Sequence, residues 1–135
     1  MEGRNFDITY VGEIRTRMIH LKSGNEVVTD APEDNNGKAQ AFSPTDLVAS
    51  GLAACMLTVI GIYFDKRDRA LEVIHCQVKK VMITNPRRIA EVHVEFDFGS
   101  NVFSPKEMQV ISNLALNCPV ANSLSKDVLI KTNLH

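Results

Sequence analysis

The sequence predicts an α+β fold with the element order β-β-β-α-β-β-α-β. Three observations support this prediction: short segments in which apolar and polar residues alternate, two segments with clear helix start signals, and strands that come in runs instead of alternating with helices. The chain has 135 residues, of which 44% are hydrophobic and 23% charged. This composition suits a single domain over residues 1–135 with a core of its own.

Three strands are predicted before the first helix. Residues 6–12 alternate in the manner of a strand, and residues 15–22 and 26–29 follow with Ser23-Gly24-Asn25 as the turn between them. Residues 30–41 are polar and rich in residues that favour turns, which predicts a loop.

The first helix has a clear start signal. Ser43 is the predicted N-cap, a proline follows it, and Asp46 stands at the third helical position, where an acidic side chain completes a capping box. The helix should run to about Phe64 or Lys66. Its apolar stretch from Leu47 to Tyr63 is short for a membrane span and covers nearly all sides, which predicts a helix buried in the molecule or in an interface.

Two long strands are predicted next. Cys76 lies on the apolar face of the first, and the parity of its apolar residues changes further on, which predicts a bulge near Lys79-Lys80. In the second, residues 90–98 place apolar side chains on one face, whereas His93 and its acidic neighbours point to solvent.

The second helix repeats the start signal, with Ser104 as the cap and Glu107 at the third position. Its apolar stripe continues to Cys118, and Pro119 is expected to end the helix. After a short turn, residues Asp127 to Leu134 form the predicted final strand.

Charge and motifs exclude several classes of function. The formal net charge is -1, from 15 basic and 16 acidic residues, so there is no basic surface for nucleic acid and no signal for a membrane surface. The N-terminus is polar and lacks a secretory signal, so we expect a soluble cytoplasmic protein. The four histidines are scattered, and there is neither a C-x-x-C motif nor a glycine-rich phosphate loop, so we expect neither a metal nor a cofactor.

The three cysteines are the candidate reactive groups. An odd number argues against a secreted disulfide framework, and in a reducing compartment a pair of thiols is more often catalytic than structural. Taken by sequence context alone, Cys55 in mid-helix and Cys76 on a strand face are also compatible with simple core packing. Cys118 lies at a helix end, directly before a proline, which is a less ordinary setting, but from the residues alone it too is compatible with a structural role.

Two motifs resemble those of a known family. Residues 43–56 are similar to the first active-site helix of the OsmC/Ohr family, named for osmotically inducible protein C and organic hydroperoxide resistance protein. Residues 117–124 resemble the second cysteine motif of that family, and the spacing of the two motifs and the order of elements also fit. Residues 29–46 resemble the general OsmC-like subgroup more than Ohr itself.

The resemblance implies a fold, an assembly and an activity. It implies an intertwined homodimer with its active sites at the subunit interface and central helices wrapped by antiparallel sheets. It also implies a thiol-dependent peroxidase: Cys55 attacks an organic hydroperoxide and becomes a sulfenic acid, Cys118 resolves it as a disulfide, and a dithiol reductant restores both thiols.

A reactive thiol in apolar surroundings needs a nearby cation, because burial raises its pKa. In the family an arginine held by an acidic residue supplies it, which implies Arg15, with Arg17 as the second candidate and Lys38 as a weaker one. The acid would be Asp46, one position beyond the Pro-Glu of Ohr-type members. From the residues alone, Asp46 can equally be a helix cap, and both arginines can be solvated surface charges.

Two other functions remain open from the sequence. The same fold can act as a non-catalytic binding module for an apolar or thiol-reactive small molecule at the dimer interface. It can also be a structural or regulatory dimer whose cysteines are buried and inert.

Overall fold

The structure, a computed structural model, describes residues 1–135 and confirms the α+β class. Its contacts divide the chain into an N-terminal unit, Met1–Leu47, and a C-terminal unit, Val48–His135; the single domain over residues 1–135 stays a prediction. The elements in chain order are β1 (Phe6–Gly12), β2 (Arg15–His20), β3 (Glu26–Asp30), α1 (Pro44–Asp65), β4 (His75–Ile83), β5 (Arg88–Asp97), α2 (Pro105–Leu116), α3 (Pro119–Ser123) and β6 (Leu129–Leu134).

The N-terminal unit contains an antiparallel sheet in the order β1-β2-β3. β2 ends at His20, two residues before the predicted end, because the chain turns there: the His20 N–H donates to Asn25 O at 2.9 Å and the Gly24 N–H donates to His20 O at 2.8 Å. This turn sets the register of the hairpin and places Arg15 directly opposite Asp30.

One face of this sheet is apolar, and the chain leaves it open. The face carries Phe6, Ile8 and Tyr10 on β1 and Val27 on β3, with Ile8 and Val27 in register on either side of Met18. The side chains of β1 are 57%, 60% and 68% exposed. A small sheet needs a covered hydrophobic face to be stable in water, so this apolar face of the N-terminal sheet lacks the cover that its composition requires.

The loop after β3 folds back on the end of that strand. The Asp30 N–H donates to Phe42 O at 3.1 Å, and a single 3₁₀ turn, Glu33–Asn35, lies within the predicted loop. Gly37 is required here, because a Cβ atom at this position would lie 1.7 Å from the carbonyl oxygen of Ala31.

Helix α1 begins where the sequence predicts. The Asp46 N–H donates to Ser43 Oγ at 3.1 Å and the Ser43 N–H donates to Asp46 Oδ2 at 2.9 Å, which is the reciprocal pair of a capping box. By length and composition alone α1 could cross a membrane, but core helices of soluble proteins meet the same criterion. Its buried residues recur at helical spacing and line the core: Ala49, Leu52, Ala53, Met56, Ile60 and Phe64.

The C-terminal sheet has the order β4-β5-β6, so β5 is the central strand. Val92, Val94 and Phe96 of β5 are at most 1% exposed, as the alternating pattern predicts. The expectation of antiparallel sheets is wrong for the β5–β6 pair, which is parallel. In chain order, α2 and α3 follow β5 and precede β6. They return the chain to the end of the sheet at which β5 began, which is the connection that a parallel pair requires.

Three local details differ from the sequence prediction. The bulge in β4 falls between Val81 and Met82 rather than near Lys79-Lys80, and β6 begins at Leu129. Pro119 does more than end a helix: α2 already ends at Leu116, and Pro119 starts the short helix α3. Proline suits a first helical position because its fixed φ is helical and an N–H there would have no partner within the helix.

Candidate active site

Cys55 lies in the middle of α1 and is half-buried. Met56 and Leu52, its neighbours on the helix, are fully buried, and Cys55 packs against the same core cluster. Cys55 therefore lies at the edge of the core and is only partly covered by it.

Cys118 lies at the junction of two helices. It is the N-cap of α3, and the Ala121 N–H donates to its Sγ at 3.5 Å. Its own N–H donates to Ala115 O at the end of α2, at 3.4 Å. The side chain is 1% exposed, so Cys118 is held in place by backbone groups on both sides and is closed to solvent.

The fold brings these two cysteines together. The side chains of Cys55 and Cys118 are close enough to interact, and both thiols are free. Burial is the main cause that raises the pKa of Cys118, and the neighbouring Cys55 raises it further. The N–H groups of Ala121 and Val120 act in the opposite direction but do not outweigh burial.

The third cysteine has a different setting. Cys76 lies on β4 and, with His75, Phe96 and His135, lines a surface cavity of about 600 Å³ at the end of the C-terminal sheet. Burial raises its pKa to about 11. No group of three or more His, Cys, Asp or Glu side chains is arranged to hold a metal ion.

We expect Cys76 to react slowly with alkylating reagents. With a pKa of about 11 only about one Cys76 thiol in a thousand is a thiolate at pH 8, against about a quarter of ordinary thiols. Peptide mapping after iodoacetamide treatment at pH 8 measures this rate, and the same peptide in urea is the control. Equal alkylation rates in folded and unfolded protein would show that the fold does not lower the reactivity of the Cys76 thiol.

The predicted cation has a defined partner in the N-terminal unit. Arg15 forms an ion pair with Asp30, with 3.8 Å between Nε and Oδ2, and the Asp30 side chain is only 1% exposed. Arg17 instead pairs at the surface with Glu26, at 2.5 Å. Lys38 is exposed in the loop before α1, and Asp46 takes part in the α1 capping box.

Asp30 was missed by the sequence reasoning, although a signal for it exists. The hairpin turn between β2 and β3 fixes the cross-strand register, and counting outward from the His20–Asn25 pair places Arg15 opposite Asp30. A charged residue at the end of a strand is ordinarily read as solvated. Only the returning loop, which covers Asp30, makes its carboxylate a buried one.

Comparison with known proteins assigns the chain to a family. Residues 36–133 match the family described as OsmC-like protein, a span that contains both Cys55 and Cys118. The chain belongs to the OsmC-like family. Arg15 and Asp30 lie outside the matched span. No curated protein sequence matches this chain.

Solved structures agree with this OsmC-like assignment. A candidate osmotic stress induced and detoxification response protein of Psychrobacter arcticus 273-4 is 44% identical, with a TM-score of 0.95 over 100% of this chain and 98% of the other. The organic hydroperoxide resistance protein OsmC of Legionella pneumophila is 15% identical, with a TM-score of 0.72 and coverage of 99% and 98%. OhrB of Bacillus subtilis is 16% identical, with a TM-score of 0.63 and 96% coverage of both chains. The last two share the fold.

Proposed function

We propose that this OsmC-like protein is a thiol-dependent peroxidase that reduces organic hydroperoxides. The observation that carries the proposal is the proximity of Cys55 and Cys118, two thiols that are far apart in the sequence and neighbours in the fold. Structural neighbours named as organic hydroperoxide resistance proteins support the substrate class.

The two cysteines differ in the way that the reaction requires. Cys55 is half-buried and can meet a substrate, whereas Cys118 is closed to solvent and its pKa is raised. The Cys55 thiolate attacks the hydroxyl oxygen of the hydroperoxide, the O–O bond breaks, and the alkoxide leaves and takes up a proton to become the alcohol. The resulting sulfenic acid condenses with the Cys118 thiol to form a disulfide and water, and a dithiol reductant returns both residues to thiols.

We assign the role of activating cation to Arg15, from the same chain or from a partner chain. A positive guanidinium stabilises a thiolate relative to the thiol and so lowers the thiol pKa. Arg17 is less suited, because its guanidinium is already engaged by Glu26 at the surface. Asp46 supports the site as a positioning residue, since it caps the helix that carries Cys55.

We further propose that the working form is a homodimer in a reducing cytoplasm, where the three cysteines stay free thiols. The support for a dimer is the apolar face of the N-terminal sheet, whose β1 side chains are more than half exposed in the single chain. A second copy of the chain would supply the missing cover, and burial of such a face favours association.

Ile8→Asp should therefore weaken or abolish the dimer. The substitution places a charge in the centre of the apolar face of the N-terminal sheet, and burying an unpaired charge is strongly unfavourable. Sedimentation equilibrium at micromolar concentration measures the effect. Thr9→Asp is the matched control, because the neighbouring residue of β1 points to the opposite face. A wild-type monomer, or an Ile8→Asp protein that stays dimeric, would contradict this assignment.

A thiol count before and after one equivalent of cumene hydroperoxide tests the peroxidase proposal. We expect rapid loss of two thiols and a Cys55–Cys118 disulfide detected by mass spectrometry, with Cys76 unchanged. Dithiothreitol should restore the original count. Unchanged thiols in folded protein would contradict the proposal and would favour a non-catalytic binding module.

A further inference from the structure

The carboxylate of Asp30 is a fixed anion inside the N-terminal unit. It is 1% exposed, and its Oδ2 accepts a hydrogen bond from the Gln40 N–H at 3.1 Å. The backbone of Asp30 is held as well, since its N–H donates to Phe42 O. The returning loop therefore fixes both the position and the direction of this carboxylate.

The ion pair that Asp30 makes with Arg15 is incomplete. The distance of 3.8 Å between Nε and Oδ2 is too long for a hydrogen bond, and both Arg15 Nε and Asp30 Oδ1 are buried without a hydrogen-bond partner. Such buried, unsatisfied polar groups are uncommon and unfavourable.

The other arginine of β2 has no comparable arrangement. Arg17 and Glu26 lie on the surface, and their 2.5 Å contact is already a closed hydrogen bond. That contact raises the pKa of Arg17 and lowers the pKa of Glu26. Of the two arginines, only Arg15 is paired with an acid whose side chain is buried and hydrogen bonded to the backbone.

We infer that Asp30 is the positioning residue for Arg15 in the proposed peroxidase reaction, so that the loop after β3 sets the orientation of the activating guanidinium through this carboxylate. The inference rests on the proposed function for the role of Arg15. It differs from the sequence expectation, in which Asp46 holds the arginine.

The test compares Asp30→Asn, Arg15→Met and the double variant, with Glu26→Gln as the matched control for the surface pair. Asparagine keeps the size of Asp30 and an oxygen that can accept from Gln40, and circular dichroism checks that each variant is folded. The first measurement is the rate at which one equivalent of cumene hydroperoxide oxidises Cys55. We expect Asp30→Asn to lower this rate roughly 10- to 100-fold, the usual range for a residue that orients a reactive group, and to add nothing in the Arg15→Met background.

The second measurement is the pH dependence of Cys55 alkylation by iodoacetamide, followed on the Cys55 peptide. If Asp30 positions Arg15, its loss moves the midpoint to higher pH, because a displaced cation no longer stabilises the thiolate. If Asp30 acts only as a nearby negative charge, its removal moves the midpoint to lower pH. A downward or absent shift, or equal effects of Asp30→Asn with and without Arg15, would overturn the inference.

The two measurements separate this inference from the proposed function. Alkylation requires no peroxide, so a wild-type protein that does not reduce cumene hydroperoxide would overturn the peroxidase proposal alone. The alkylation midpoints of the four variants would still decide whether Asp30 acts through Arg15.

Discussion

Cys55→Ser should abolish peroxide consumption, whereas Cys118→Ser should still consume one equivalent and then stop. Serine cannot form the thiolate nucleophile, and loss of a nucleophile typically costs a factor of at least about 10³ in rate. Without Cys118 the first step is intact, but the sulfenic acid of Cys55 has no internal partner. Peroxide consumption without added thiol, which would itself reduce the sulfenic acid, distinguishes the two variants, and dimedone traps the sulfenic acid of Cys118→Ser.

Cys76→Ser is the matched control for this pair of variants. Its thiol is suppressed by burial and plays no part in the proposed reaction, so peroxide consumption should be unchanged. The assignment of roles would be reversed if Cys118→Ser lost all activity and Cys55→Ser kept a single turnover. The half-buried Cys55 and the enclosed Cys118 support the proposed order of reaction.

Phe96→Ala should destabilise the protein by about 3 to 5 kcal/mol, the range for truncating a buried phenylalanine. Phe96 is 0% exposed in the central strand of the C-terminal sheet, and its ring stacks on Phe98 with 5.8 Å between centroids. The alanine variant loses that contact and leaves a cavity in the hydrophobic core. Urea unfolding at one fixed protein concentration measures the change, because association also contributes to apparent stability.

Glu95→Ala is the control for the same strand. Glu95 is exposed and pairs with His135 at the surface, an interaction that contributes at most about 1 kcal/mol. If both alanine variants shifted the unfolding midpoint equally, β5 would not be the centre of the core that its burial pattern indicates.

The sequence by itself determined the elements that depend on local signals. Both long helices begin at the predicted residues, because the serine and the acidic side chain of each cap accept hydrogen bonds from backbone N–H groups, and the proline has no N–H to satisfy. The buried face of β5 also follows from the sequence, because the side chains of a strand alternate between its two faces. The two cysteine motifs indicated the family, which the comparison confirmed.

Only the tertiary structure decided what these elements bring together. The parallel pairing of β6 with β5 depends on the path that α2 and α3 take, and a strand pattern reads the same in either direction. Cys55 lies in the middle of a helix and Cys118 at the junction of two others, and no local sequence pattern determines that these two residues are neighbours. Asp30 became a candidate in the same way: its neighbours in sequence suggest a solvated charge, but the returning loop buries it beside Arg15. Helix caps and the buried faces of strands depend on residues that are close in sequence, whereas the Cys55–Cys118 and Arg15–Asp30 pairs depend on packing between distant parts of the chain.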